Sequence, residues 1–198
     1  MNHDHHQMKP NATQGNPCTD RLSDLEYLNH MVPHHQIAID MSRALLPISK
    51  NPTILHLCRD IIRKQNYEIW EMNILREKLP ETVFTNDKAD TTPFKTKLDM
   101  YNPKKSVAKE GVCNPMFFEP DNHMKHMQHM QLTDESFLKH MVPHHQLAVD
   151  MSRRLLLHTN NGYMIDFCNR LIYDQQGEIF YMNNLLHNKY NYESELLS

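Results

Sequence analysis

Histidine and methionine are in excess, with 15 and 14 of 198 residues, and the two types occur together. His30-Met31-Val32-Pro33-His34-His35 is followed by Met41, and His140-Met141-Val142-Pro143-His144-His145 is followed by Met151. On an α-helix, residues four, seven and eleven apart share a face. His30, His34 and Met41 therefore fall on one stripe, and His140, His144 and Met151 repeat it. Met31 with His35, and Met141 with His145, occupy the adjacent stripe. Imidazole suits copper and zinc alike, whereas a neutral thioether selects soft ions such as Cu(I) or Ag(I). The mixed set predicts copper as the cofactor, with Cu(I) favoured over Cu(II). A second tract, His123-Met124-Lys125-His126-Met127-Gln128-His129-Met130, offers three His-Met pairs as further ligands. His3, His5, His6 and Met8 precede the first motif, and His3 behind a free amino terminus is the pattern of a square-planar Cu(II) site. The competing reading is structural. Methionine at helical spacing commonly fills cores, and buried histidines can form a hydrogen-bonded cluster that sets register.

These residues must be positioned by a duplicated helical unit. From His30 to Leu46, 14 of 17 positions are identical to those 110 residues on, without a gap. The same offset pairs Cys58 with Cys168, Gln65 with Gln175, Glu68 with Glu178 and Met72 with Met182. Ser23-Asp24-Leu25-Glu26 reads as a capping box opening a helix to about Leu46. Asn51-Pro52 opens a second helix to about Leu79. In the second copy, Thr133 or Asp134 starts the first helix, Asn160-Asn161-Gly162 makes the turn, and the last helix runs to about His187. Pro33 and Pro143 fall inside helices and are expected to kink them. The second helix of each copy sets Gln65, Glu68 and Met72, or Gln175, Glu178 and Met182, on its core line. Gln65, Glu68, Gln175 and Glu178 are expected to support the ligands, with Glu68 accepting a ring N–H from His30 or His34. Cys58, Cys168 and Trp70 read as packing residues.

The expected fold is all-α: a four-helix bundle of two duplicated helical hairpins with a long irregular linker. The organisation is a flexible His-rich tail over 1–21, a first hairpin over 22–80, a linker with the His/Met tract over 81–131, a second hairpin over 132–190 and a tail over 191–198. The formal charge of −3 without a basic stripe argues against nucleic acid. No apolar run reaches transmembrane length, and no signal peptide is visible. No Glu-x-x-His occurs, so a carboxylate di-iron centre is not expected. No enzymatic activity is expected either, because no motif positions a nucleophile. Four widely spaced cysteines leave disulfide pairing open. The Asn/Lys/Ile-rich composition suits an AT-rich genome such as that of a large virus or a protist.

His-Met-x-Pro-His-His-x-x-Ala-x-x-Met followed by Gln-x-x-Glu-Ile-x-x-Met resembles the ferritin-like family called domain of unknown function 305. The match runs over His30 to Met41 with Gln65 to Met72, and over His140 to Met151 with Gln175 to Met182, within Leu22 to Leu79 and Leu132 to Lys189. The resemblance implies a bundle of helical hairpins. Some bacterial members are exported copper-binding proteins linked to copper tolerance, which implies metal ions as partners and copper binding, storage or detoxification as the function. This chain differs in its long linker and in lacking a visible export signal, so its compartment stays open. The alternative is a structural or virion-associated helical protein, with or without homo-oligomers, that needs no metal.

Overall fold

The computed structural model describes residues 16–18, 20–79, 114–129 and 131–192. It contains five α-helices and, among the described residues, no strand. Helix α1 spans Asp24–Leu45, α2 Pro52–Lys78, α3 Pro120–Gln128, α4 Asp134–Leu156 and α5 Gly162–Tyr190, with a 3-10 turn over Pro115–Phe118.

Side-chain caps set the starts. Ser23 accepts from the Glu26 amide while Glu26 returns to the Ser23 amide. Thr133 and Ser136 make the same reciprocal pair at α4. Asn51 and Asn161 cap α2 and α5 through their side-chain oxygens. Each cap satisfies amides that the first turn leaves without helical partners. Helix α5 continues past His187 to Tyr190, where Asn191 adopts a left-handed conformation (φ 51°) that ends it. Pro33 and Pro143 are carried within uninterrupted helices.

Helix α1 packs on α2, α4 packs on α5, and α1 packs against α4. Two apolar clusters form the core. One holds Ile37, Met41, Leu45, Ile54, Cys58 and Ile61 from the first copy with Phe137, Leu138, Met141 and Met182 from the second. The other holds the residues displaced by 110: Leu147, Met151, Leu155, Met164, Cys168 and Leu171, with Tyr27, Leu28, Met31 and Met72. Each cluster thus joins the turn end of one hairpin to the open end of the other, as a pseudo-twofold axis across antiparallel α1 and α4 requires. Neither hairpin closes a core alone. Each buried Leu, Ile or Met contributes roughly 1.5–3 kcal/mol only when the partner covers it.

Part of the His/Met tract forms helix α3. The 3-10 turn and α3 pack on α1 and bury Phe117, His123 and Met127. Trp70 is not a packing residue, since it is 57% exposed beside Tyr67. Cys58 and Cys168 are free and buried, as core residues should be. Cys18 is disulfide-bonded. Arg154 donates to the carbonyls of Pro17 and Cys18, and His158 Nε2 donates to the Leu22 carbonyl at 2.8 Å. The stretch before α1 is therefore held to the end of α4 where it is described. Residues 1–15, including His3, His5, His6 and Met8, lie outside the described residues, as do Thr19, residues 80–113, Met130 and residues 193–198. No described helix is long and apolar enough to cross a membrane.

Candidate metal centre

The waist of the bundle is built from imidazoles. Where α1 meets α4, His34 and His144 stack with ring centroids 3.6 Å apart and planes 23° from parallel. Their hydrogen bonds are reciprocal: His34 Nε2 donates to the His144 carbonyl and His144 Nε2 donates to the His34 carbonyl, each at 3.1 Å. Donation to a carbonyl requires the Nε2–H tautomer, which leaves both Nδ1 lone pairs buried without a partner. Burial, followed by the neighbouring histidines, pushes both rings well below the usual histidine pKa. Both rings are therefore neutral.

The next histidine of each motif turns the other way, toward its own hairpin. His35 Nε2 meets Glu68 Oε2 at 2.7 Å and His145 Nε2 meets Glu178 Oε2 at 2.8 Å. Glu68 therefore accepts from His35, not from His30 or His34. The reason is rotational: Glu68 on α2 faces the α1 stripe that carries Met31 and His35, the stripe adjacent to that of His30 and His34. The twin dyads differ in one respect. Lys64 on α2 donates to Glu178 Oε1 at 2.9 Å and lies 3.7 Å from Asp174. Burial alone would raise the Glu178 pKa, but His145 and Lys64 together hold it below the usual carboxylate value. Gln65 and Gln175, one turn before these glutamates, are buried with both amide atoms unpartnered.

The first histidine of the second motif meets the tract. His140 Nε2 lies 2.9 Å from His123 Nε2, with rings 4.9 Å apart at 63°. One nitrogen donates and the other accepts. His123 is fully buried. Burial first, then neighbouring histidines including His126, pushes both rings down to about 4. Phe117 stands edge-on to His140 and His144 at 5.0 and 5.1 Å, and Phe118 faces His30 at 5.6 Å and His34 at 5.7 Å. The 3-10 turn is thus an aromatic cover over the histidines. Met127, one turn beyond His123 on α3, is buried in the same cluster as Met141. Met124 is half-buried, and His126 and His129 are exposed.

The methionines divide differently from the stripe expected. Met41, Met141 and Met182 belong to one apolar cluster, and Met31, Met72 and Met151 belong to the other. Met41 and Met72 cannot join one ligand set around their own hairpin's histidines. Helices α1 and α2 run antiparallel, so moving forward from His35 to Met41 leads away from Met72. Among the described residues, no three His, Cys, Asp or Glu side chains converge on a metal position.

Sequence reasoning missed Phe117, Phe118 and Lys64. Asn114-Pro115 repeats the Asn-Pro start seen at Asn51-Pro52 and could have flagged the aromatic turn. Nothing flags Lys64, whose counterpart in the repeat is Asp174.

Fold and site define a duplicated all-α bundle with a histidine waist covered by an aromatic turn. The family model described as Domain of unknown function (DUF305) matches residues 24–186, and the chain belongs to that family. Among solved structures it is similar to CopM. The silver-bound form obtained by soaking superposes with a TM-score of 0.62 at 26% identity, covering 86% of this chain and 99% of that one. The Cu(I)-bound form gives 0.59 at 27%, covering 84% and 97%, and a Cu(II)-bound form gives 0.58 at 26%, covering 83% and 96%. A DUF305 fragment from Deinococcus radiodurans shares the fold at 22% identity and a TM-score of 0.53, covering 86% and 98%. An uncharacterized protein L153 of Acanthamoeba polyphaga mimivirus is 49% identical over 65 residues, 32% of this chain. That match spans 43% of the relative's length.

Proposed function

We propose that this protein binds a soft monovalent metal ion, Cu(I) or Ag(I), between His123 and His140, and that it stores or sequesters the ion without catalysis. The observation that carries this reading is the facing Nε2 pair at 2.9 Å, held by a short separate helix. In the metal-free protein one proton is shared by two nitrogens. A soft ion can take both nitrogens in a near-linear arrangement when the donating ring moves its proton from Nε2 to Nδ1, so that both ligands are neutral imidazoles. With metal–imidazole bonds of about 2 Å, the nitrogens must part to roughly 4 Å. Helix α3 can supply that movement, because it is a nine-residue element docked on the bundle and not a bundle helix. Neighbouring thioethers, Met127 foremost, add soft donors that hard ions would not use. Both rings are neutral at physiological pH and ready to ligate. That solved structures of CopM include Cu(I)-, Cu(II)- and Ag-bound forms supports the choice of metal. His30, with Phe118 above it, is the counterpart of His140 and lies beside the same cover.

A second reading has its own observation. His34, His35, His144 and His145 all have internal partners, which suits a scaffold that needs no metal. The test is an anaerobic Cu(I) titration against a competing colorimetric chelator, with excess Zn(II) in a parallel run. The expected outcome is tight Cu(I) binding that zinc does not displace, weakened at least about tenfold, or 1.4 kcal/mol, in His123→Ala and in His140→Ala. Wild-type affinity in both variants would move the site elsewhere. Failure of the wild type to compete would favour the scaffold.

A further inference from the structure

The two His–Glu dyads descend from one ancestral arrangement, yet their surroundings carry different charge. Glu178 accepts from His145 through one oxygen and from the Lys64 ammonium through the other. The position equivalent to Lys64 in the second copy is Asp174. The reciprocal contact onto Glu68 would therefore bring two carboxylates together and cannot form. Among the described residues, no Lys or Arg makes an ion pair with Glu68, whose partner is His35. One turn before Glu68 on α2, Gln65 is 2% exposed with neither amide atom partnered, as is Gln175 before Glu178. A buried amide so placed is normally completed by an ordered water or a ligand.

We propose that the first dyad is a cation site of its own, taking a borderline divalent ion such as Zn(II), and that Lys64 closes the equivalent site in the second copy. The ion enters between His35 Nε2 and Glu68 Oε2, and the ring proton moves from Nε2 to Nδ1, which is buried without a partner, so His35 binds as a neutral imidazole. The ligands are an imidazole nitrogen, a carboxylate oxygen and the Gln65 amide oxygen, a set that suits a borderline ion better than Cu(I). At the second dyad the same three residue types are present as His145, Glu178 and Gln175. There the Lys64 ammonium already occupies the free carboxylate oxygen, and its charge opposes an incoming cation. Duplication would thus have produced one open and one closed version of the same site. This site shares no ligand with the His123–His140 pair and does not depend on it.

The test uses the full chain after one equivalent of Ag(I) has been offered, with the silver retained measured first. Zn(II) is then titrated calorimetrically in two buffers of different protonation enthalpy, for the wild type, Glu68→Gln and Lys64→Met. The expected result is one zinc ion per wild-type chain, with no net proton released because the ring proton stays on His35. Glu68→Gln keeps a hydrogen-bond acceptor for His35 and should lose that event at least about tenfold in affinity. Lys64→Met, a change at a partly exposed side chain, should add a second equivalent. Absence of zinc binding in the wild type, unchanged binding in Glu68→Gln, or unchanged stoichiometry in Lys64→Met would each overturn the proposal. Failure to retain silver would instead count against the soft-metal function and leave the zinc counts readable.

Discussion

The His123–His140 pair makes the metal-free protein acid-sensitive in a defined window. Both rings sit at about 4 in the native state against 6.5 for an ordinary histidine. The folded values lie below the unfolded ones, so the unfolded chain takes up protons that the native chain refuses. Stability is therefore complete above about pH 6.5 and is lost as the pH falls from there toward 4. A drop of about 2.5 units for one proton on the pair corresponds to about 3.4 kcal/mol at 1.36 kcal/mol per unit. The pair shares its first proton, so the two shifts are not summed. Solvent reaches the outer face of α3, and undocking of that short helix caps the loss. The expected figure is therefore about 2 kcal/mol between pH 7 and pH 4.5. With a urea slope near 2 kcal/mol/M this shifts the midpoint by about 1 M. The assay is urea unfolding followed by helical circular dichroism across that range with a metal chelator present. The His123→Phe/His140→Phe double variant is the control, because His34, His144 and His158 titrate in the same direction and form a common background. If wild type and double variant lose equal stability on acidification, the pair is not held neutral by burial and the reasoning fails.

Two further outcomes separate scaffold from site. Replacing Glu68 by Leu strands the His35 Nε2–H in the interior and should cost about 1–3 kcal/mol by thermal or urea denaturation; a neutral result would mean that the dyad does not tie α1 to α2. Met72→Ala and Met151→Ala empty fully or almost fully buried positions in one apolar cluster and should each cost about 2–5 kcal/mol while leaving Cu(I) stoichiometry unchanged. A lost copper equivalent in either variant would restore those thioethers as ligands.

The parts legible in the sequence were those governed by local rules. The 110-residue repeat announced the pseudo-twofold, and Ser23, Asn51 and Thr133 marked helix starts because an orphan amide accepts few side chains as caps. The four-helix bundle followed from amphipathic length and short turns. What escaped depended on relations between helices. A stripe of His30, His34 and Met41 is real on α1, but spacing along one helix does not say which neighbour each member meets. The antiparallel partner sends Met41 and Met72 to opposite ends. Glu68 was recognised as a hydrogen-bond partner, but its choice of His35 is set by the rotation of α2 about its axis. Nine residues with Lys125 and His126 exposed show too little periodicity to separate helix α3 from an irregular tract.

Lys64 is the hardest case and the most instructive one. A repeat invites the assumption that two copies carry two equal sites, and the ligand positions alone support it: His35 with His145, Glu68 with Glu178, Gln65 with Gln175. The asymmetry arises where α2 and α5 approach each other near the pseudo-twofold. There position 64 of one copy meets position 178 of the other, across the repeat instead of within it. One charge reversal at the pair 64/174 therefore changes one dyad and spares its twin. Divergence at such cross-copy positions lets a duplicated protein acquire unlike sites while its motifs stay identical, which is why motif identity is a poor guide to site equivalence in this fold.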